Sequence, residues 1–528
     1  MAAREAEMTD IQAPPFHAPV DDILFSLEHV ARADRLRDWD GELAREVITH
    51  FASFAEERIA PLNASGDVEG CRLENGRVKM PEGFAQVYRE LAEQGWHGIS
   101  APETHGGQNL NHAIVASVCE IFAGANHSLQ MVAGLVPGAI STLVRFGTEE
   151  QQQRLIPPLV DGGWLATMAL TEPGSGSDLS TIRMRATRDG DAWRIDGEKI
   201  FISGGDQDIS EGILHLVLAR TGSMEEGSRG LSLFACLSHL PNGERNSVSV
   251  TRIEEKLGLH ASPTCQLAFD GARAELVGEL GMGLKAMFAL MNHARLDVAL
   301  QGVAHAARGA DLARRYAAER LQGRDRSGQP VTIDQHADVA RMIKEADAWA
   351  VGGRALVHLT MVEGELTGGE ALLSFMTPIC KWLCTEGGIR GADLAIQVMG
   401  GYGYLREFGA EQNWRDARIC AIYEGANGIH ALTNATRSLK SDGGAGAAAF
   451  VALLRESGSE LHEQAHRWEA EARRIASMSD PSAEAHDFMR LTATSAWLAV
   501  WARIKKVAEA TENARYLKLA KRASTMSF

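Results

Sequence analysis

No stretch of this 528-residue chain approaches the ~20 consecutive apolar positions that a membrane-spanning helix needs, so no membrane partner is expected. The seven cysteines, Cys71, Cys119, Cys236, Cys265, Cys380, Cys384 and Cys420, include no CxxC pair and no zinc-ligand spacing, which points to reduced, buried thiols. Residues 1–19 lack an apolar segment and carry Glu5, Glu7 and Asp10, against a secretory or organellar leader. The expectation is a cytoplasmic protein. Basic residues are also few: 53 Lys and Arg against 69 Asp and Glu leave a formal charge of -16. That balance argues against a nucleic-acid partner, whose phosphates need clustered cations. No GxSxG is present around Ser203-Gly204-Gly205, so a serine hydrolase has no starting point. One metal-type motif does occur, His462-Glu463-Gln464-Ala465-His466. It lies beside the apolar stripe Leu461, Ala465 and Trp468 and reads as the solvated side of a helix, so no metal is expected.

What is present is an α, β, α order. After a leader at 1–40, residues 41–165 carry apolar positions at three- and four-residue steps, such as Leu43, Val47, Phe51 and Phe54, and predict a helical domain. Residues 166–280 change to short β-type runs, including 193–195 and 199–202 around Asp196-Gly197, a dipeptide that signals a hairpin turn. Residues 281–440 return to long Ala- and Leu-rich helices. A glycine-rich stretch at 441–446 reads as a linker, and an appended helical segment fills 441–528.

Three segments carry chemistry. The first, 168–178, runs Met-Ala-Leu-Thr-Glu-Pro-Gly-Ser-Gly-Ser-Asp; it is either a plain turn or a loop whose N–H groups and hydroxyls meet a polar ligand. The second, Gln397-Val398-Met399-Gly400-Gly401-Tyr402-Gly403-Tyr404, follows a helical run. It is either a glycine helix cap or a phosphate contact, and it lacks the strand and spacing of a Rossmann site. The third, Ile422-Tyr423-Glu424-Gly425-Ala426-Asn427-Gly428, sets one carboxylate in an apolar stretch. Dry surroundings would raise its proton affinity toward that of a general base, and a carboxylate at a helix start is the alternative.

In this order and spacing the three segments resemble the acyl-CoA dehydrogenase family over roughly residues 40–440. The resemblance implies a mainly α fold with an N-terminal helical domain, a barrel-like β-domain and a C-terminal four-helix bundle. It implies FAD, with contacts from Met168, Leu170, Thr171, Gly176, Ser177, Phe201, Ile202, Ser203, Arg320, Gln397, Gly400, Gly401, Ala426 and Gly428. Arg320 and the 397–401 segment would reach the FAD of a partner subunit, so a homo-oligomer, dimer or tetramer, is implied. The acyl-CoA substrate would meet Ser177, Asn292, Arg295, Tyr423 and Gly425. Glu424 would be the catalytic base that takes the α proton while the β hydride passes to flavin N5. Some branches carry that base on the earlier helix, where this chain has Ala294.

An electron-transfer flavoprotein is the implied acceptor. Ala426 and Gly428 stand where many relatives have Thr and Gln. The leader and the block after residue 440 resemble a longer bacterial branch that includes 3-methylmercaptopropionyl-CoA dehydrogenases, which leans the substrate toward that thioester or a short-to-medium acyl-CoA. Two rivals share the fold. One is an acyl-CoA oxidase. The other is an alkylation-response flavoprotein that binds DNA, for which Arg503, Lys505, Lys506, Arg515, Lys518, Lys521 and Arg522 would supply a basic face.

Overall fold

The computed structural model describes residues 14–526, apart from the side chains of Ala289, Leu290, Asn292 and His293. The chain divides into two compact units, one of residues 1–60, 116–125 and 296–528, the other of residues 61–115 and 126–295.

The first unit is helical. It contains α1 (Gly41–Phe54), part of α2 (His112–Ala133), and α3 (Gly283–Glu319) from residue 296 onward. There follow α4 (Ala337–Glu365), α5 (Glu370–Met399), α6 (Asn427–Thr433), α7 (Ala445–Ser457), α8 (His462–Ser477), α9 (Ala485–Ala510) and α10 (Ala514–Ala523). Asp40 starts α1 by accepting the N–H groups of Glu42 and Leu43, which satisfies donors that an uncapped helix start would leave orphaned. Helices α3 and α5 run backbone against backbone. A methyl added at Gly309 would lie 2.6 Å from the Gly391 carbonyl oxygen, and one at Gly388 would lie 2.5 Å from that of Gly302. Only glycine permits that approach.

The tail shares this unit's core. Trp468 is 1% exposed, packs against Phe375, Phe450 and Phe488, and donates its indole N–H to Thr492 at 2.9 Å. The leader is tied in by charge: Asp22 accepts from Arg515 at 2.5 and 2.9 Å and from the Tyr516 hydroxyl at 2.6 Å. The expected linker at 441–446 is not an open tether. One 3-10 turn covers Ser441–Gly444, and α7 begins at Ala445, with Gly446 buried against Ala371 and Phe375. Tertiary packing overrides the flexibility its glycines suggest.

The second unit is built on a seven-stranded sheet: β1 (Trp164–Ala169), β2 (Arg185–Asp189), β3 (Ala192–Ser203), β4 (Gly212–Arg220), β5 (Leu231–Leu237), β6 (Val248–Ile253) and β7 (Thr264–Val277). The pairings β4–β2, β2–β3, β3–β7, β7–β5 and β5–β4 close a ring, with β1 parallel on β4 and β6 antiparallel on β7. Closure leaves few open edges. β4 is buried at every position, as befits a strand enclosed on both faces.

The hairpin expected at Asp196-Gly197 lies elsewhere. β3 runs straight through that dipeptide, and Gly197, at φ 140°, marks a register shift against β7. The turn between β2 and β3 follows the earlier Asp189-Gly190: Asp189 pairs with Ala192, and Gly190, at φ 62°, makes the two-residue turn with Asp191. Both dipeptides supply a glycine at positive φ; one makes a turn and the other a bulge.

Among the described residues no single helix is long and apolar enough to cross a membrane. The two His of the metal-type motif, His462 and His466, are both exposed on α8. On the tail's basic stretch, Arg503 bonds Ser457, Lys505 faces Glu509, and Arg515 and Arg522 pair with Asp22 and Glu345. Those four side chains are engaged within the fold.

Candidate active site

In the second unit, β1 delivers residues 168–170 to the start of a tight loop. The Glu172 and Ser175 backbones exchange both hydrogen bonds at 3.0 and 3.1 Å. Asp178 then caps the short turn Leu179–Thr181 by accepting from the Ser180 N–H at 3.0 Å. The Glu172 carboxylate, 7% exposed, braces the loop from inside: it accepts from the N–H groups of Arg183 and Met184 at 2.7 and 3.0 Å and from Lys199 Nζ at 2.9 Å. Lys199, fully buried on β3, also donates to the Leu170 carbonyl at 2.9 Å. Burial lowers its ammonium to about 8, opposed by the Glu172 charge. Sequence reasoning missed this pair, whose members are 27 residues apart.

That bracing holds Gly174, Gly176, Ser177 and Asp178 exposed, and a methyl at Gly176 would meet nothing within 4 Å. Alongside, β3 bulges between Lys199 and Ile202. The bulge puts Phe201 at φ 58° with its ring 60% exposed, while Ile202 is buried. A phenylalanine held in the left-handed region and open to solvent costs energy on both counts, the usual mark of a functional position. Thus Met168, Leu170, Thr171, Gly176, Ser177, Phe201, Ile202 and Ser203 lie on adjoining segments, joined by the Ile200 N–H donating to the Thr171 carbonyl at 2.9 Å. Arg295, at the end of this unit's part of α3, sets its guanidinium 5.6 Å from the Phe288 ring. Asn292 is on α3, and its side chain lies outside the described residues.

In the first unit a cavity of ~530 Å³ is lined by Tyr316, Arg320, Met399, Gly400, Gly401 and Tyr402 among others. The helix-cap reading of the glycine segment holds here. Gly400 caps α5, donating its N–H to the carbonyls of Gln397 and Ile396 at φ 61°, ψ -136°, and it opens space, since a methyl at Gly400 or Gly401 would meet nothing within 4 Å. Arg320 is steadied over the Tyr402 ring at 5.4 Å. Gln397 is exposed.

Glu424 sits between α5 and α6, three residues before α6 begins, at φ 53°. Two ties fix this strained turn. His430 Nε2 is 3.1 Å from the Glu424 carbonyl oxygen, and Lys381, fully buried on α5, donates Nζ to the Gly425 carbonyl at 2.8 Å and to Asn427 Oδ1 at 3.0 Å. Ala426 caps α6 through its carbonyl, and Gly428 is exposed with open space beside it. The Tyr423 hydroxyl donates to Gln301 on α3. Lys381 and Gln301 gave no signal in sequence, being ordinary members of long helices.

Family models match three stretches: the acyl-CoA dehydrogenase N-terminal domain at residues 42–163, the middle domain at 167–272 and the C-terminal domain at 281–439. The chain is 38% identical to a 3-methylmercaptopropionyl-CoA dehydrogenase of Ruegeria pomeroyi, over 90% of this chain and 85% of that protein. It is 34% identical to the broad-specificity linear acyl-CoA dehydrogenase FadE5 of Mycobacterium tuberculosis, over 84% and 77%. Among solved structures, the acyl-CoA dehydrogenase of Geobacillus kaustophilus matches with a TM-score of 0.66 at 27% identity, over 77% of this chain and all of that one. Caenorhabditis elegans ACDH-11, solved with C11-CoA, reaches 0.83 at 21% identity over 98% and 92%, a likeness of fold that includes the tail.

Proposed function

The chain belongs to the acyl-CoA dehydrogenase family, oxidoreductases that generally depend on FAD, and from that premise we propose that it converts an acyl-CoA thioester to the trans-2-enoyl-CoA with Glu424 as the base. The observation that carries this reading is the backbone at Glu424: a carboxylate held at φ 53° by Lys381 and His430. Strain of this kind persists only where the surroundings over-determine it, and it marks functional sites.

The α C–H of a thioester is a very weak acid, so proton removal needs donors that stabilise the enolate-like charge on the carbonyl oxygen. The Glu424 N–H is one such donor. Fixing the Glu424 carbonyl through His430 and the Gly425 carbonyl through Lys381 orients base and donor together, so neither has to reorganise as the proton moves. The Glu424 carboxylate takes the α proton. Tyr423, anchored on Gln301, and Gly425 line the thioester. By resemblance to the family, Ser177 and Arg295 would contact CoA.

The residues present fit FAD. The cavity at Arg320, Gly400 and Gly401 offers a cation and open backbone to a pyrophosphate, and the exposed Phe201 face and the loop at Gly176 suit a flat ring and its polar edge. When bound, FAD supplies the acceptor for the two electrons and the hydrogen leaving the β carbon. An electron-transfer flavoprotein would be the acceptor of those electrons, and a homo-oligomer would complete the FAD site through Arg320 and the 397–401 segment.

The substrate we favour is 3-methylmercaptopropionyl-CoA or another short-to-medium acyl-CoA, on the strength of the 38% identity over 90% of this chain to the Ruegeria pomeroyi protein. Anaerobic mixing of the yellow holoprotein with a panel of thioesters tests this. Bleaching fastest with 3-methylmercaptopropionyl-CoA or butyryl-CoA supports it, and bleaching only by long chains overturns the substrate reading.

A further inference from the structure

A second cavity, of ~630 Å³, opens in the first unit where the tail helices meet α4 and α5. Helix α4 delivers Glu345 and Trp349 to it, and α5 delivers Trp382, Glu386 and Arg390, each set at four-residue steps and hence from one helix face. Arg490 of α9 and Arg522 of α10 line the same space. None of these residues belongs to the site proposed above, and the volume is that of a small-molecule site.

The lining sets cations against an apolar wall. Glu345 accepts from Arg341 at 2.9 Å, Arg390 at 3.2 Å and Arg522 at 2.5 Å. Arg522 also keeps a buried Nε–H that meets no acceptor among the described residues, a costly state that an anion in the cavity would relieve. Arg390, Arg490 and Arg522 stand against Glu345 and Glu386, an excess of one positive charge. Trp349 and Trp382, 7% and 5% exposed, supply the apolar part, and the His486 ring lies edge-on to Trp382 at 6.1 Å. Guanidiniums grip a planar carboxylate through paired N–H groups, and indoles pack a flat body beside it. A phosphate would bring more negative charge than this excess offsets, beside two carboxylates.

Glu386 also has a second connection. Its Oε1 accepts from Asn427 Nδ2 at 2.8 Å, Asn427 Oδ1 accepts from Lys381 Nζ at 3.0 Å, and Lys381 donates to the Gly425 carbonyl at 2.8 Å. An ammonium only donates and a carboxylate only accepts, so the Asn427 amide between them has one orientation. Glu386 is thus both a wall of the cavity and the outer end of a hydrogen-bonded chain that reaches the residue after the base.

We propose that this cavity binds a small carboxylate with an apolar or aromatic body, and that the bound charge acts through Glu386, Asn427 and Lys381 on the Glu424 turn. The ligand's carboxylate sets a like charge beside Glu386 and repels it from the Asn427 amide. Asn427 keeps its other acceptor, Thr385 at 3.1 Å, while Lys381 loses the fixed partner that orients it toward Gly425. Glu386 and Asn427 are positioning residues here. The effect on the base rests on the dehydrogenase reading; the binding site does not.

Benzoate is the probe, with benzamide as its uncharged counterpart and inorganic phosphate as the multiply charged one. Calorimetric titration of the FAD-loaded protein should give a benzoate Kd below about 1 mM, with benzamide and phosphate at least about tenfold weaker. Arg490→Gln, at an exposed position outside the chain of hydrogen bonds, should weaken benzoate about tenfold or more and leave the flavin-reduction rate without benzoate unchanged. Glu386→Gln keeps an acceptor for Asn427 but not the charge, and should bind benzoate more tightly than wild type. No benzoate binding to wild type, equal binding of benzamide or phosphate, or an unchanged benzoate Kd in Arg490→Gln overturns the site; the first two results need no variant. In the kinetic arm, at saturating thioester, benzoate should lower the limiting rate of flavin reduction at least about threefold in wild type and leave that of Glu386→Gln unchanged. A benzoate effect that only raises the thioester concentration required, or one that persists in Glu386→Gln, overturns the link to the base. If benzoate binds as expected but no thioester bleaches the flavin, the dehydrogenase reading fails and the site stands.

Discussion

Glu424 and Phe201 share a feature that sequence does not display: both are non-glycine residues in the left-handed region. Their segments could be read because the chemistry is contiguous, with the polar loop at 168–178 and the carboxylate at 424 each contained in a short string. What holds them could not. Lys199 reaches Glu172 across 27 positions and Lys381 reaches Gly425 across 44, and a lysine inside a strand or helix looks like any other until burial is known. Lys199→Met should therefore be costly. It leaves the Glu172 carboxylate buried without its cation, at roughly 3–5 kcal/mol, and thermal unfolding should show a lowered Tm with loosened flavin. The double change Lys199→Met with Glu172→Gln should recover part of that loss; no recovery would mean the pair is not what braces the loop. Gly400→Ala adds a strained backbone, about 1–3 kcal/mol, and a methyl facing the cavity beside Arg320. FAD retention on gel filtration should fall well below that of wild type.

Among the elements, the long helices and the strand-rich middle were legible from periodicity and turn residues, yet their ends were not. Two Asp-Gly dipeptides seven residues apart are locally equivalent, and only pairing with β7 decides that the second becomes a bulge inside β3. The glycine-rich stretch at 441–446 reads as a tether because its packing partners, Ala371 and Phe375, lie on a distant helix. α5 does two jobs: its C-terminal end forms the Gly400 cap and its interior supplies Lys381. Lys381→Met removes the donor to the Gly425 carbonyl, leaving a polar group unsatisfied at about 1–3 kcal/mol. The expected result is a flavin-reduction rate lowered ~10–100-fold with FAD content unchanged, since about 1.4 kcal/mol corresponds to each tenfold in rate. An unchanged rate would show that the turn is held without it. On α8, Trp468→Ala should cost roughly 3–5 kcal/mol. Because Trp468 packs on Phe375 of α5, tail and C-terminal helices should melt together rather than in two steps.

At the scale of the molecule, the acidic balance and scattered cysteines excluded more than they identified, and the family followed from three weak segments in a fixed order. The structure adds a pH dependence that composition does not reveal. Burial lowers His97, His215 and His305 from 6.5 to about 4 and His358 to about 3. Between pH 6.5 and 4 the unfolded chain binds protons that the folded chain refuses, so stability falls as pH falls through that window, by at most roughly 5 kcal/mol per pH unit if all four stay neutral. These imidazoles should leave Tm unchanged above about pH 6.5 and lower it from there to pH 5; no fall in Tm down to pH 5 would show that they gain protons in the fold. The central claim is that Glu424 removes the α proton of an acyl-CoA thioester. Stopped-flow anaerobic mixing of wild type and Glu424→Gln with the best thioester tests it most directly. The account predicts that the variant keeps its yellow FAD yet bleaches at least ~10²–10⁴-fold more slowly; bleaching at the wild-type rate would contradict it.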